Sequence, residues 1–163
     1  MIEDIKNLVK KTASTLDVKD RLTLAIYSMG ISGEIGEVIE AYPRSKDDFK
    51  MELADLVWYT VALSRMLDTK YLLEDIDFNS NNLVDGRDGE EFLYEALLES
   101  LKHLEKAKKY VRDYPSRPIE SLNGYIKPLK MISDIFNLSD TYDILNKKLG
   151  ARYPGGFVIN PVR

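Results

Sequence analysis

The sequence predicts an all-α protein, most simply a helical bundle that forms one domain over residues 1–163. Apolar residues recur at helical spacing, and the alternating β-branched pattern of strands is almost absent. Glycine and proline are sparse until the C-terminal tail. A chain of this length buries enough apolar surface to fold without disulfides, which cannot form here because there is no cysteine.

Three helices are predicted in the first half of the chain. An apolar repeat over residues 2–16 predicts an amphipathic first helix, and a second is expected over residues 20–42. Pro43 and its polar neighbours break the pattern, and a third helix is predicted over residues 47–67. We therefore expect residues 18–68 to form a helical hairpin.

The second half is interrupted by turn-forming residues. Residues 77–89 are rich in Asn, Asp and Gly, which predicts an exposed loop before a helix over residues 90–113. Residues 119–137 have a helical pattern that Gly124 and Pro128 should weaken or kink.

The C-terminal segment, residues 139–163, is predicted to contain one more helix and a tail. Ser139 is a suitable N-cap for a helix that ends near Leu149. Residues 152–163 contain Pro and Gly and are predicted to be irregular.

Composition excludes several classes of function. With 27 acidic and 23 basic residues the net charge is −4, which argues against nucleic-acid binding by bulk electrostatics. One histidine, His103, and no cysteine exclude multi-histidine and thiolate metal sites; His103 itself is expected at the surface or in the site. No run of about eighteen apolar residues and no signal-peptide core is found. We therefore expect a cytoplasmic protein that binds neither nucleic acid nor membrane.

Two pairs of acidic residues stand three positions apart, a spacing that places both members of a pair on one face of a helix. They are Glu34 with Glu37, and Glu52 with Asp55. On a helical wheel each pair borders the apolar stripe of its helix, whereas acids of a solvent-exposed face would lie opposite it. In an antiparallel hairpin Glu37 and Glu52 would face each other about 11 Å from the turn, with the other two acids one turn further along.

Four carboxylates so close together repel one another unless a cation lies between them. Oxygen ligands favour Mg²⁺ or Mn²⁺, and magnesium held by carboxylates keeps positions for water and phosphate oxygens, which indicates phosphoryl chemistry. The alternative is a solvated acidic face with lysine partners. Gly30, Gly33 and Gly36 lie in the same helix, each at a cost of about 1 kcal/mol. Gly30 and Gly33 either make room for a ligand or allow close helix packing.

Residues 30–38 (GISGEIGEV) and 52–59 (ELADLVWY) resemble the motif of the MazG-like family of all-α nucleoside triphosphate pyrophosphohydrolases. Residues 147–157 (KKLGARYPGGF) are similar to the K-L-x-x-R-Y-P-x-G-F ending of small MazG-like proteins. Dimeric dUTPases and phosphoribosyl-ATP pyrophosphohydrolases share the acidic motif, so this motif does not identify the substrate.

The resemblance implies Mg²⁺-dependent hydrolysis of a nucleoside or deoxynucleoside triphosphate to the monophosphate and pyrophosphate, with Mn²⁺ as an alternative ion. Glu34, Glu37, Glu52 and Asp55 match the family's metal-binding acids. Either Glu34 or Glu37 would orient or deprotonate the attacking water, which makes both candidate catalytic residues. The implied partners are a nucleoside triphosphate and a second copy of the chain in a homo-oligomer, a dimer.

Further residues are candidates for binding the substrate. Lys148 and Arg152 match tail positions that would meet phosphate. Trp58 and Tyr59 are candidates for stacking on the base, although aromatic residues of helices also pack in the core.

The chain departs from the family pattern in its middle. Small MazG-like chains pass quickly from the second acidic helix to the tail, but here about eighty residues intervene. Placing residues 42–43 on residues 114–115, both Tyr-Pro, predicts that residues 90–138 are a degenerate second hairpin and the chain a pseudo-dimer; an unrelated helical insertion is the alternative. In that register Lys106 and Lys109 replace acids of the first hairpin and would bind triphosphate. The alternative is a solvated, salt-bridged helix face.

Two further hypotheses remain at this point. The long divergent segment also suits a non-catalytic helical module that binds a nucleotide or a partner and has lost turnover. Alternatively, the acids form a solvated surface with no ligand.

Overall fold

The computed structural model describes residues 1–13, 20–80 and 87–155. Within these ranges the chain contains helices and no strand, which confirms the all-α prediction. The α-helices are α1 (Ile2–Thr12), α2 (Arg21–Ala41), α3 (Lys46–Leu67), α4 (Arg87–Asp113), α5 (Lys127–Ser133) and α6 (Thr141–Arg152). Two 3₁₀ helices, Lys70–Asp75 and Ile119–Ile126, follow α3 and precede α5.

The helical hairpin of α2 and α3 is delimited by local signals. The Asp20 carboxylate accepts a hydrogen bond from the Thr23 N–H at 3.1 Å and caps α2. Ser45 Oγ accepts one from the Asp48 N–H at 3.2 Å and caps α3. Asp68 ends α3 in the left-handed conformation, with a φ of 54°. Because these signals are short-range, both helices lie within one residue of their predicted bounds.

The helical segment after α4 is broken, as Gly124 and Pro128 predict. Residues 119–126 form a 3₁₀ helix, and α5 starts afresh at Lys127 with the proline in its first turn. Both pieces pack back against α4. The proposal that this region is a degenerate repeat stays a prediction.

The prediction that Ser139 caps the last helix is wrong. α6 begins at Thr141, and its N-cap position is Asp140, whose side chain makes no capping bond. Instead the N–H and the hydroxyl of Ser139 both donate to Asn137 Oδ1, at 2.9 and 2.5 Å. The Ser139 hydroxyl therefore bonds to the Asn137 side chain, two residues upstream, and does not cap the helix.

Two other predicted bounds meet the edges of the described ranges. The first helix ends at Thr12, and residues 14–16 of the predicted helix lie outside the described residues. In the predicted loop, residues 81–86 lie outside them as well, whereas residues 87–89 belong to α4.

α2 is the central helix and packs between α3 and α4. Its antiparallel direction relative to α4 follows from two bonds: Ser32 Oγ donates to Ser100 Oγ, and the earlier Ser28 shares a bond with the later His103, both at 3.0 Å. α6 and α1 cover the outer side of α3. Fully buried apolar residues of the hairpin include Leu24, Ile31, Ile35, Leu56 and Leu63. This core holds the acidic faces of α2 and α3 at a fixed distance.

Among the described helices, α2 alone has the length and composition of a helix that could cross a membrane. Its most apolar window has a mean hydropathy of 1.2, and 33% of that window is buried. The core helix of a soluble protein also meets these criteria, and α2 carries two acids on the side facing α3.

Candidate active site

Three acidic side chains meet where α2 and α3 run side by side. One carboxylate oxygen from each of Glu34, Glu37 and Glu52 lies within 4.8 Å of the other two. Glu34 and Glu37 stand one turn apart on α2, and Glu52 comes from α3. Glu37 is exposed, and the other two are half-buried. The structure therefore brings together three of the four predicted acids.

Glu34 lies deepest in this acidic cluster. Burial raises the pKa of its carboxyl group to about 7. The negative charges of Asp55, Glu37 and Glu52 raise this pKa further, in that order of size. Among the described residues Glu34 Oε2 has no hydrogen-bond partner, although the atom is buried. A buried oxygen without a donor is costly, so this position suits a cation.

Glu52 experiences the same environment from the other helix. Burial raises the pKa of its carboxyl group, and the charges of Glu37 and Asp55 raise it further. Lys148 lowers the pKa of Glu52 by less, so the positive charge nearby does not offset the acids. Three carboxylate oxygens at this separation are the hard donor set that Mg²⁺ or Mn²⁺ requires, so the residues present fit such an ion.

Asp55, the fourth predicted acid, has a different partner. Its carboxylate forms an ion pair with Lys148 of α6. Lys148 also lowers the pKa of Glu34, against the larger effects that raise it. The C-terminal helix thus brings one positive charge to the edge of the acidic cluster, and Asp55 holds it there.

A cleft of about 450 Å³ opens beside the acids. This volume lies within the range of small-molecule sites in proteins. Its lining combines two acids, two basic residues and four aromatic rings. The lining residues are Thr12, Tyr27, Glu34, Asp55, Trp58, Tyr59, Lys148, Leu149, Arg152 and Tyr153. The predicted residues Lys148, Arg152 and Trp58 are all among them, at one cleft.

One wall of the cleft is aromatic. Tyr27, Trp58 and Tyr59 meet edge to face, with ring centroids 5.1 to 6.2 Å apart. Trp58 Nε1 donates a hydrogen bond to Thr12 Oγ1 at 2.9 Å, which fixes the ring against α1. Trp58 is half-buried and also packs against the core, so it both lines the cleft and fills space; its stacking on a base stays a prediction.

The glycines of α2 serve two purposes. A Cβ atom at Gly30 would lie 2.4 Å from the Tyr59 ring, so this glycine allows close packing. At Gly33 and Gly36 a Cβ atom would meet nothing within 4 Å. Close packing therefore accounts for Gly30, whereas Gly33 leaves open space next to Glu34.

The structure does not bring Lys106 and Lys109 to this cleft. Both lie on α4, which packs on another side of α2, and neither is among the residues that line the cleft. The Lys109 Nζ lies 3.6 Å from one carboxylate oxygen of Glu105, and the Lys108 Nζ lies 2.6 Å from the other. The alternative interpretation, a solvated and salt-bridged helix face, describes this segment.

His103 is neither a surface residue nor a member of the site, contrary to both expectations. Its side chain is 2% exposed, and Nε2 shares a 3.0 Å hydrogen bond with Ser28 Oγ. Burial lowers the pKa of its imidazole to about 4. His103 is a neutral core residue between α2 and α4.

Sequence reasoning missed four residues of the cleft, namely Thr12, Tyr27, Leu149 and Tyr153. Tyr27 precedes Glu34 by seven residues and so lies on the same helix face, a signal that was available. Tyr153 lies within the tail motif. Thr12 belongs to α1, and no local pattern predicts its hydrogen bond with Trp58, 46 positions later in the sequence.

Residues 23–80 match the family model of the MazG nucleotide pyrophosphohydrolase domain. The match covers about a third of the chain, including nearly all of α2, the whole of α3 and all four acids, and it confirms the resemblance seen in their motifs. No curated protein and no solved structure matches the chain. The family match says nothing of α4, α5, α6 or the tail.

Proposed function

Because residues 23–80 are a MazG-like segment, we propose that the chain is a nucleoside triphosphate pyrophosphohydrolase. It would hydrolyse a nucleoside or deoxynucleoside triphosphate to the monophosphate and pyrophosphate. The observation that supports this most is the convergence of Glu34, Glu37 and Glu52 at the edge of a nucleotide-sized cleft.

The acidic cluster would hold the cofactor. Glu34, Glu37 and Glu52 are its ligands in this proposal, and Mg²⁺ is the expected ion, with Mn²⁺ as the alternative. When bound, a divalent cation neutralises triphosphate oxygens and stabilises the charge that develops during attack by water. Asp55 would be a further ligand through the carboxylate oxygen that does not contact Lys148, or through both oxygens if that ion pair opens.

The basic residues of α6 are placed to bind the phosphate chain. Lys148 and Arg152 line the same cleft as Glu34. Ammonium and guanidinium groups both bind phosphate oxygens. Lys148 would exchange its contact with Asp55 for one with the substrate.

A carboxylate of the cluster would take the proton from the attacking water. Glu34 is the first candidate for this base, because its half-buried carboxylate lies at the cleft. Glu37 is more exposed and is the alternative base. The aromatic wall of Tyr27, Trp58 and Tyr59 provides faces and edges for a nucleobase.

The direct test is a panel of canonical and damaged nucleoside triphosphates with Mg²⁺ or Mn²⁺, resolved by product. We expect monophosphate and pyrophosphate, and we expect Glu37→Gln to weaken metal binding and turnover. Glu40→Gln is the matched control, because Glu40 is an exposed glutamate of the same helix. No turnover of any nucleotide, together with unchanged Mg²⁺ binding by Glu37→Gln, would contradict the proposal.

A non-catalytic nucleotide-binding module is the second candidate. It is favoured by the ion pair between Asp55 and Lys148, which removes one acid from the ligand set. This candidate predicts that a nucleotide with Mg²⁺ raises the melting temperature without product formation. A ligand at a hundred times its Kd would add about 2.7 kcal/mol to the free energy of unfolding.

The proposal also includes a homodimer in the cytoplasm. Exposed apolar side chains on α2 and α4 support self-association. The cytoplasmic location stays a prediction and is consistent with a cysteine-free composition.

A further inference from the structure

Trp58 of the aromatic wall is held by a residue outside the hairpin. Its indole Nε1 donates a hydrogen bond to Thr12 Oγ1 of α1 at 2.9 Å. An indole N–H only donates, so the threonine oxygen is the acceptor. The Thr12 hydroxyl in turn donates to the Leu8 carbonyl oxygen of α1, also at 2.9 Å. Both side chains therefore have partners, and the direction of each bond is fixed.

α1 is a firm support for this bond. Ile5 and Val9 of this helix are fully buried, and the helix packs against both α3 and α6. Thr12 itself is 7% exposed, so its bond to Trp58 is shielded from water and is stronger than an exposed one. Because Thr12 precedes residues 23–80, the bond joins the MazG-like segment to an element outside it.

The indole ring also has contacts with two other rings. The rings of Tyr27 and Tyr59 meet it nearly at right angles, at 88° and 85°, with centroids 5.9 and 5.1 Å away. Pairs of this geometry favour one relative orientation of the rings. Trp58 is half-buried and still lines the cleft. The ring thus reaches the cleft in an orientation that is set before a ligand arrives.

The bond to Thr12 also decides which contacts Trp58 has left for a ligand. Nε1–H is the only polar group of this side chain, and Thr12 occupies it. The apolar ring remains, and it binds planar aromatic groups by stacking. Every nucleobase has such a face, so stacking depends little on which base is present.

We propose that Thr12 is a positioning residue, which holds Trp58 so that its ring stacks on the base of a bound nucleotide, whether purine or pyrimidine. This role rests on the proposed function, which supplies the nucleotide. It goes further by giving α1 a part in recognising the base. Thr12 acts through Trp58 and leaves the binding of the phosphate chain to α6.

The first test uses the fluorescence of Trp58, the only tryptophan in the sequence. Thr12→Val keeps the shape of the side chain and removes the acceptor. We expect stronger quenching by acrylamide and a red-shifted emission, because an indole N–H without a partner turns toward water. Thr12→Ser keeps the hydroxyl and should restore wild-type quenching. Unchanged quenching in Thr12→Val overturns the proposal.

The second test measures affinity without turnover. The probes are the α,β-imido analogues of dATP and dUTP and inorganic triphosphate, each titrated with Mg²⁺ present by calorimetry. Thr12→Val should weaken both analogues at least about fivefold, the lower end of what one stacked base contributes. It should leave inorganic triphosphate, which has no base, unchanged. Thr12→Ser should bind all three probes as the wild type does.

Thr60→Val is the matched control. Thr60 Oγ1 donates to the Leu56 carbonyl oxygen at 2.8 Å, the same bond to the fourth residue back that Thr12 makes. Thr60 is buried and does not line the cleft, so this variant should change neither quenching nor affinity. Melting by circular dichroism shows whether each variant is folded under the assay conditions.

A double-mutant cycle keeps the test independent of general destabilisation. Trp58→Phe retains an aromatic face but has no N–H for Thr12 to accept. In that background Thr12→Val should cause no further loss of affinity for either analogue. A further loss as large as the one in the wild-type background overturns the proposal, because Thr12 would then act by another route.

The outcomes separate the role of Thr12 from the proposed hydrolase. A wild type that binds the analogues but releases no pyrophosphate from any nucleotide contradicts the hydrolase and leaves the role of Thr12 standing. Three results in Thr12→Val overturn that role alone: unchanged affinity for the analogues, weakening of only one analogue, or equal weakening of inorganic triphosphate. A wild type that binds none of the probes overturns both.

Discussion

The hairpin of α2 and α3 and the α4–α5 region use the same residue types to opposite effect. In the hairpin, Glu34 and Glu52 are half-buried, and their carboxyl pKa values are raised by burial and by the negative charges of the nearby acids. In α4, hydrogen bonds from Lys102 and Lys127 lower the pKa of Glu99. Acids paired with lysines, as Glu99 is, have their charge offset, whereas the acids that face one another in the hairpin are the ones that suit a cation.

The return segments of the two regions differ as well. α3 is one unbroken helix from a Ser45 cap to Asp68, whereas the segment after α4 is divided into a 3₁₀ helix and the short α5. A continuous helix keeps Glu52 level with Glu37. The corresponding segment after α4, with Gly124 and Pro128, offers no comparable rigid face. The regular α3 therefore presents Glu52 beside the two acids of α2.

The largest effect should come from exchanging one acid in each region. Glu52→Gln removes a proposed metal ligand and should lower kcat at least about a hundredfold. Glu105→Gln in α4 removes an acid that only pairs with neighbouring lysines and should leave kcat unchanged. Pyrophosphate release from a hydrolysed nucleotide measures both. Equal losses in the two variants would remove the distinction between the regions.

The next effect concerns His103, which lies between α2 and α4. Its pKa is about 4 in the folded chain and about 6.5 unfolded. Because the folded pKa is lower, stability is present above pH 6.5 and is lost as the pH falls toward 4, by up to about 3 kcal/mol. The free energy of unfolding of wild type and His103→Leu, measured with urea from about pH 7.5 to about pH 4, tests this loss, because that range spans the two pKa values. An equally steep loss in the variant would assign the pH dependence to other groups.

Glycines on α2 offer a smaller contrast within the hairpin. Gly30→Ala places a methyl group against the Tyr59 ring and should destabilise the protein by about 1–3 kcal/mol. Gly33→Ala meets open space and should stabilise the helix by up to about 1 kcal/mol. Thermal melting of the two variants compares them directly. If Gly33→Ala also impairs nucleotide binding, the open space is used by the ligand.

The smallest expected effect is the release of a proton when Mg²⁺ binds. With its pKa near 7, Glu34 is partly protonated at neutral pH. A cation that binds beside it lowers this pKa, so Mg²⁺ binding at pH 7 should release about half a proton. Calorimetry in two buffers of different ionisation enthalpy measures the release. Glu34→Gln should abolish it, and Glu99→Gln should not; release that persists in Glu34→Gln would assign the proton elsewhere.

Much of the fold could be predicted because its signals are local. Asp20, Ser45 and Asp68 delimit the hairpin through bonds within a few residues. The convergence of Glu34, Glu37 and Glu52 also follows from helix geometry and a short turn. Contacts across long separations could not be predicted, such as Lys148 with Asp55, 93 positions apart. The burial of His103 likewise depends on where α4 packs, which no periodicity of α4 alone specifies.

Asp55 would compete with an incoming anion for Lys148. A single carboxylate already neutralises Lys148, so an anion gains from displacing it only when it brings more charge than Asp55 does. A polyphosphate meets this requirement far better than a monophosphate. The internal ion pair would therefore discriminate by ligand charge and favour the triphosphate over the mononucleotide product.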